Sequence, residues 1–353
     1  MSALLQPFRQ RSLTLRNRIV VSPMCQYSSV DGMPDDWHLV HLGSRAVGGA
    51  AVVFTEASAV SAEARISPQD AGIWNDAQAE AWARIARFIA TQGAIPAMQL
   101  AHAGRKASTF APWRGDGAVP LEAGGWPVVA PSALAFNDIY PQPQALDVAG
   151  IAKVVADYRA AAQRALDAGF RIVEIHGAHG YLLHQFLSPL SNHRDDAYGG
   201  SFDNRSRIVR EVIAAVREAW PEELPLWMRI SATDWVDGGW DIEQSVELAR
   251  MAGKAGVDLV DVSSGGLAPQ QKIPAAPNYQ VPFAARIRHE AGVATAAVGL
   301  ITEPQQADRI VADGEADVVM LAREMLRDPY FPRRAAKALS GELRTPEQYL
   351  RSW

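Results

Sequence analysis

Short apolar, β-branched runs alternate along the whole chain with longer amphipathic segments. The runs are Ile19-Val20-Val21, Ala51-Val52-Val53-Phe54, Ile95 to Leu100, Ile172 to Ile175, Leu226 to Ile230, Leu259 to Val262, Ala294 to Val298 and Val318 to Leu321. They read as continuously apolar rather than alternating, as parallel strands covered on both faces do. Several follow a helical segment that ends at glycine, as in Ala165-Leu166-Asp167-Ala168-Gly169 and Ala252-Gly253-Lys254-Ala255-Gly256. A glycine just past a helix accepts the left-handed conformation that closes it. Eight repeats of helix, glycine and strand predict an α/β protein, a single (β/α)8 barrel over 1–353. A doubly wound nucleotide-binding sheet is the rival, but no G-x-G-x-x-G and no Walker A sequence follows any strand.

One segment breaks the rhythm. Residues 104–147 carry Pro112, Gly115, Gly117, Pro120, Gly124, Gly125, Pro127, Pro131, Pro141 and Pro143. Long irregular loops in compact domains are usually functional, so this one is expected to cap the barrel mouth. A helix from Asp147 to Ala168 then resumes the pattern. The tail, 345–353, ends Tyr349-Leu350-Arg351-Ser352-Trp353, whose aromatics beside an arginine suggest docking.

Composition narrows the class. The 353 residues are 48% hydrophobic and 21% charged, with a formal charge of -5. This is an ordinary globular balance, and without a Lys/Arg block it argues against nucleic acid or membrane partners. The lone Cys25 forms no internal disulfide, and no apolar run follows the N-terminal arginines as in a signal peptide. The expectation is a cytoplasmic enzyme.

In such barrels, residues at the carboxyl ends of strands face the active site. The rule selects Ser22-Pro23-Met24-Cys25-Gln26-Tyr27, Thr55-Glu56-Ala57, Gln99-Leu100-Ala101-His102, His176-Gly177-Ala178-His179-Gly180-Tyr181, Arg229-Ile230-Ser231, Ser263-Ser264-Gly265-Gly266, Gly299 and Ala322-Arg323. These strand ends offer amide, guanidinium, hydroxyl and backbone donors without an inward carboxylate pair, which argues against glycoside hydrolysis. Gly299, the Ala322 N–H and Arg323 suit a phosphate. His176 and His179 can donate to an oxyanion, and Tyr181 can pass a proton. A metal pair is the rival for the histidines, with His184 the nearest third ligand. His38 and His41 look helical and structural.

The motifs Ser22-Pro23-Met24-Cys25, Gln99-Leu100-Ala101-His102-Ala103-Gly104-Arg105, His176 to Tyr181, Phe186 to Arg194, Tyr198-Gly199-Gly200-Ser201 and Asn204-Arg205 together resemble the old yellow enzyme family of flavin-dependent ene-reductases. The match is to its branch with a cysteine after the first strand, and it runs over essentially the whole chain. The resemblance implies FMN, with Ser22, Pro23, Met24, Cys25 and Ala57 along its ring. Gln99 and Arg229 would meet its pyrimidine edge, and Gly299, Ala322 and Arg323 its phosphate. The family's usual glycine before that arginine is here Ala322. Cys25 would tune the flavin potential. His176 and His179 would hold the carbonyl oxygen of an α,β-unsaturated substrate, with Tyr27 nearby. Flavin N5 would deliver hydride to the β-carbon and Tyr181 would protonate the α-carbon, in ping-pong alternation with reduction by NADPH or NADH. The activity implied is that of an NAD(P)H dehydrogenase or enoate reductase acting on enones, enals or nitro compounds. Arg351 would reach a neighbouring subunit's pocket in a homodimer or homotetramer. Two readings remain beside this one: a phosphosugar or metal-dependent barrel, and a flavin-binding protein without turnover. One cysteine cannot ligate an iron–sulfur cluster.

Overall fold

The computed structural model describes residues 2–353. The eight apolar runs become eight strands: β1 Ile19–Val21, β2 Val52–Ala59, β3 Ile95–Ala101, β4 Ile172–Gly177, β5 Leu226–Ser231, β6 Leu259–Ser263, β7 Ala294–Val298 and β8 Val318–Leu321. They pair in parallel in chain order, and β8 closes on β1 with Val319 opposite Ile19 and Met320 opposite Val20. The architecture is a (β/α)8 barrel. β2 is longer than its apolar run because the register shifts between Phe54 and Ala57 and carries the strand on to Ala59.

Helices cover the barrel, and their starts are written in the sequence. The helix α1, Asp36–Val47, is capped by Asp35, α2, Asp76–Thr91, by Asn75, and α3, Val148–Asp167, by Asp147. Each cap side chain accepts a backbone N–H, which stabilises a helix start by about 1 kcal/mol. After α3, Gly169 turns at φ +92°. Outward strand residues such as Val173, Ile175, Met228 and Ile230 pack with α3 residues Tyr158, Ala161 and Ala165 in one large buried cluster.

Inside the barrel the strands do alternate, in chemistry if not in burial. The floor is apolar: Val20, Val52, Phe54, Ala97, Ile172, Trp227, Leu259, Ala296 and Met320 form a second cluster. A hairpin, Phe8–Gln10 with Leu13–Leu15, closes it from below. Leu15 joins the cluster, and Gln10 Oε1 accepts from Trp227 Nε1 at 2.5 Å. Two residues further along the strands, the inward positions turn polar: Gln99, Glu174, Arg229 and Asp261. Sequence reading placed no inward carboxylate pair at the strand ends; the barrel holds Glu174 and Asp261 one layer deeper.

Residues 104–147 leave β3 as a 3-10 turn, Gly104–Lys106, and pass through a second one, Leu121–Ala123. The segment packs Trp113 edge-on against Tyr27 at 5.4 Å, and Trp126 Nε1 donates to Glu63 O. Arg105 reaches across to Leu134 O, Ala135 O and Leu267 O. Among the described residues, no helix is long and apolar enough to cross a membrane.

Candidate active site

β4 ends in His176 and Gly177, and the turn after it carries His179, Gly180 and Tyr181. The three rings converge. His176 and His179 centroids lie 5.3 Å apart, and His176 lies 5.0 Å from Tyr181, both edge-on. The turn is strained: His179 sits at φ +58° and Gly180 at +72°. Strain at a non-glycine residue persists only where surroundings over-determine it. Here the His179 N–H donates to Ser231 Oγ at 2.9 Å and the Gly180 N–H to His184 Nδ1 at 2.9 Å. Lys106 Nζ donates to both His179 O and Gly266 O at 2.9 Å. A Cβ on Gly180 would lie 2.2 Å from Gly266 O, so the two turns touch only because glycines meet.

Burial sets the protonation of this cluster. Both imidazoles are pushed well below their usual pKa, first by desolvation and then by the Arg229 charge, so they are neutral donors. Burial pushes the Tyr181 phenol well up, with Cys25 and Tyr27 adding to it, so it holds its proton. Burial also lowers Lys106, to about 8. His176 Nδ1 faces the Ala178 N–H at 3.4 Å, which leaves Nε2 to donate. His179 Nε2 sits 2.7 Å from Ser263 Oγ.

The polar layer lies beneath. In register, Arg229 stands between His176 on β4 and Asp261 on β6. Arg229 Nη2 donates to Ser22 Oγ at 2.9 Å, and Nε lies 2.7 Å from Asp261 Oδ2, close but misaligned for a hydrogen bond. Gln99 Nε2 donates to Glu174 Oε1 at 2.7 Å. Glu174 Oε2 and Asp261 Oδ1 are buried with no hydrogen-bond partner. Burial raises both carboxyls; Asp261 pushes Glu174 further up, while Arg229 pulls each down.

Cys25 follows β1. Burial, then Asp70 and Glu56, raises its thiol well above the usual value, so it is a thiol and not a thiolate. Cys25, Glu56 and Asp70 bring their polar atoms within 4.8 Å of one another. Both carboxylates already have partners. Asp70 accepts from the Ile66 and Ser67 N–H groups and Ser67 Oγ, and Glu56 bonds His38 Nε2 and the Gln26 N–H. His38 thus faces Glu56 at 2.9 Å and Asp35 at 2.7 Å, a buried link between the helix start and the site. The metal reading of His176 and His179 loses its third ligand, because His184 Nδ1 is taken by Gly180 and Nε2 faces Asp234 at 2.9 Å.

At the far side, the ends of β7 and β8 enclose a cavity of about 120 Å³ lined by Gly299, Thr302, Ala322, Arg323, Arg327 and Glu324, whose carboxylate pairs with Arg327 and Arg334. Gly299 turns at φ +110°, and a Cβ there would lie 2.6 Å from Gln280 Nε2. The left-handed turn at the end of β7 and its close approach to Gln280 therefore call for glycine. The set fits an elongated, phosphate-bearing cofactor on two observations: polar groups without protein partners at the barrel centre, and an open cradle under Arg323. Pro23, Met24 and Tyr27 are half-buried along the same mouth, as is the Ala322 link; Ser22 and Ala57 are buried. Arg351 is different. It is exposed on the tail, where Trp353 stacks on Tyr330 and Tyr349 packs beside it.

Sequence reasoning missed Glu174, Asp261, Lys106 and Asp70. Glu174 and Asp261 had a signal: each is a charge at an inward position, two residues before His176 and Ser263. Asp70 had none, since it lies in a loop 14 residues beyond Glu56.

A parallel barrel with a phosphate-sized cradle, a cationic polar centre and neutral donors above it defines a cofactor-dependent oxidoreductase class. Comparison with known proteins gives the family. The model of the NADH:flavin oxidoreductase / NADH oxidase family matches residues 3–342. NADPH dehydrogenase of Listeria innocua is 45% identical over 355 aligned positions, covering all of both chains. NADPH dehydrogenase of Bacillus subtilis is 45% identical over 352, covering 99% of each. The structure of morphinone reductase superposes with a TM-score of 0.81 at 28% identity, covering 98% of this chain and 92% of that one. The chain belongs to the old yellow enzyme family of flavin-dependent NAD(P)H oxidoreductases.

Proposed function

We propose that this protein is an FMN-dependent ene-reductase that reduces α,β-unsaturated carbonyl compounds with NADPH. The observation that carries the reading is the convergence of two neutral imidazoles and a protonated phenol above a layer of partly unpartnered Gln99, Glu174, Arg229 and Asp261. Gln99 and Arg229 would meet the pyrimidine edge of FMN, with Cys25, Ala57 and the Ser22-Pro23-Met24 backbone along its ring. Gly299, Ala322 and Arg323 would hold its phosphate. Bound there, FMN supplies the two-electron chemistry that links a nicotinamide to the β-carbon of an enone.

The chain does the rest. His176 and His179 donate to the carbonyl oxygen and stabilise the negative charge that grows there. Being neutral, they act without a charge to neutralise first. Tyr181 gives its phenolic proton to the α-carbon, since its high pKa keeps the proton available. Arg229 sits where positive charge favours an electron-rich ring. The relatives' name, NADPH dehydrogenase, supports NADPH over NADH as the donor to test first. In a homodimer or homotetramer, Arg351 would add a cation to a neighbour's mouth.

Purified protein incubated with FMN and desalted is expected to keep flavin absorbance and to turn over 2-cyclohexenone anaerobically with NADPH. Colourless protein would sink the reading. Colour without turnover would favour a flavin-binding protein without catalysis. Tyr181→Phe is expected to slow reoxidation by the enone while reduction by NADPH continues.

A further inference from the structure

Tyr181 has to recover the proton it gives away. Behind it lies a cavity of about 10 Å³, lined by Tyr181, Asp70, Arg65 and the small side chains Ala57, Ala59 and Ala101. That is about the least room that holds a water, with the Asp70 carboxyl and the Tyr181 hydroxyl as its polar partners. We propose that Asp70 returns the proton to Tyr181 after each turnover, through a single water held in this cavity. The inference rests on the proposed role of Tyr181 as proton donor to substrate.

Asp70 is suited to this and its neighbours are not. Arg65 is fixed between Trp74 and Trp126 and has no proton to give at neutral pH. Burial, then the Glu56 charge, raises Asp70 to about 7, so a large fraction carries a proton at neutrality. Glu56 is committed to His38. Cys25, Tyr27 and Tyr181 also face Asp70, and all three hold their protons more tightly than free side chains do. Each proton moves between acceptors in sequence. The Tyr181 O–H breaks as the α-carbon C–H forms. The phenolate takes a proton from the water, and the water takes one from the Asp70 carboxyl. The Asp70 carboxylate then takes its next proton from solvent. Lys106 Nζ, 5.1 Å from the Tyr181 ring, favours the phenolate in between.

The test is Asp70→Asn, which keeps an acceptor for the Ile66 and Ser67 N–H groups. FMN-loaded variant mixed with excess NADPH and 2-cyclohexenone is expected to show a burst of one product per flavin at the parent's rate. Turnover after the burst should be at least about tenfold slower, within the usual range for losing a proton-transfer group. The parent's post-burst rate should fall as pH rises through about 7, and the variant should lack that limb. Infrared titration of the loaded parent should show a carboxyl band vanishing over the same range, absent in Asp70→Asn. A variant with the parent's steady rate and pH limb overturns the proposal, as does a burst slowed in step with steady turnover. If Asp70→Asn does not fold, the parent decides: no carboxyl titrating near pH 7 overturns it. A parent that binds no FMN overturns the functional reading as well; a turning-over parent with an unaffected variant overturns only this one.

Discussion

Gly180→Ala tests whether the turn that carries His179 and Tyr181 is held by close backbone contact. The added Cβ would lie 2.2 Å from Gly266 O and 2.8 Å from both Gly266 C and Leu267 Cα. None of these can swing aside, because Lys106 Nζ holds Gly266 O and Gln271 Oε1 holds the Gly266 N–H at 2.6 Å. Relief therefore moves one turn by on the order of 1 Å, the gap between 2.2 Å and ordinary contact. Two costs add. A left-handed conformation at an L-residue costs about 1–2 kcal/mol, and forcing a methyl into packed space about 1–3 kcal/mol more. Gly200→Ala separates them: Gly200 has φ +78°, close to the +72° of Gly180, with nothing within 4 Å of its Cβ. The assay is urea unfolding of both variants without FMN, read as apparent midpoints and slopes. Gly180→Ala should be less stable than Gly200→Ala by about 1–3 kcal/mol. It should also bind phenols more weakly and lose up to about 10²-fold in enone reduction, since misplacement of this size carries that penalty. Equal stability of the two variants, with phenol binding intact, would refute the argument.

Further outcomes follow from the same geometry. His176→Ala and His179→Ala should each weaken phenol binding, and because burial and Arg229 keep both rings neutral, parent affinity should show no step near pH 6.5; such a step, lost in either variant, would contradict neutral donors. Cys25→Ala should shift the flavin midpoint potential and leave the fold intact; an unchanged potential makes Cys25 a packing residue. Burial lowers His102 from 6.5 to about 4, so the folded state binds fewer protons than the unfolded one. Stability from this group is complete above pH 6.5 and lost as pH falls towards 4, by about 3 kcal/mol in all. His102→Asn, which keeps an acceptor for the Gly104 N–H, should flatten that part of the acid-unfolding curve.

The fold was legible because parallel strands buried on both faces need apolar, β-branched residues, and few other structures do. Val318 to Leu321 and Ala294 to Val298 could be read to within a residue. The strand-end rule also located the neighbourhood of His176, Gln99 and Arg229, because barrel geometry fixes which end opens. Reading strands as continuously apolar hid the interior, however. Glu174 and Asp261 interrupt apolar runs at inward positions, and a period-of-two reading would have exposed them. Ser263 was visible only as a strand end; its contact with His179 depends on the left-handed turn, which no local signal announces. The hairpin under the floor has three-residue strands, too short for any periodicity. Asp70 reaches Cys25 through loop geometry set by its own bonds to Ile66 and Ser67.

The buried charges of the second layer are hard to explain as stabilising. Removing a guanidinium and two carboxyls from water costs several kcal/mol per ion, and attraction repays it only when the remaining polar atoms are satisfied. Here they are not: Glu174 Oε2 and Asp261 Oδ1 lack partners, and the Arg229–Asp261 contact is misaligned. An apolar layer continuing the Ile172, Trp227 and Leu259 floor would pack without that penalty. The arrangement makes sense if the layer serves what lies above it. Asp261, 2.7 Å from Arg229, keeps its charge, so the proton that burial demands goes to Glu174. Gln99 Nε2 occupies Glu174 Oε1, so that proton sits on Oε2. The layer then carries one cation, one anion and one neutral acid, and the guanidinium can face upward without a net charge buried beneath it. Asp261→Asn would leave Arg229 uncompensated and draw the proton from Glu174. The positive charge presented to the flavin would then change little, and stability without FMN would fall by less than the ~3–5 kcal/mol that an uncompensated buried charge costs. A large rise in flavin potential in this variant would show instead that Glu174 cannot take over the anion's role.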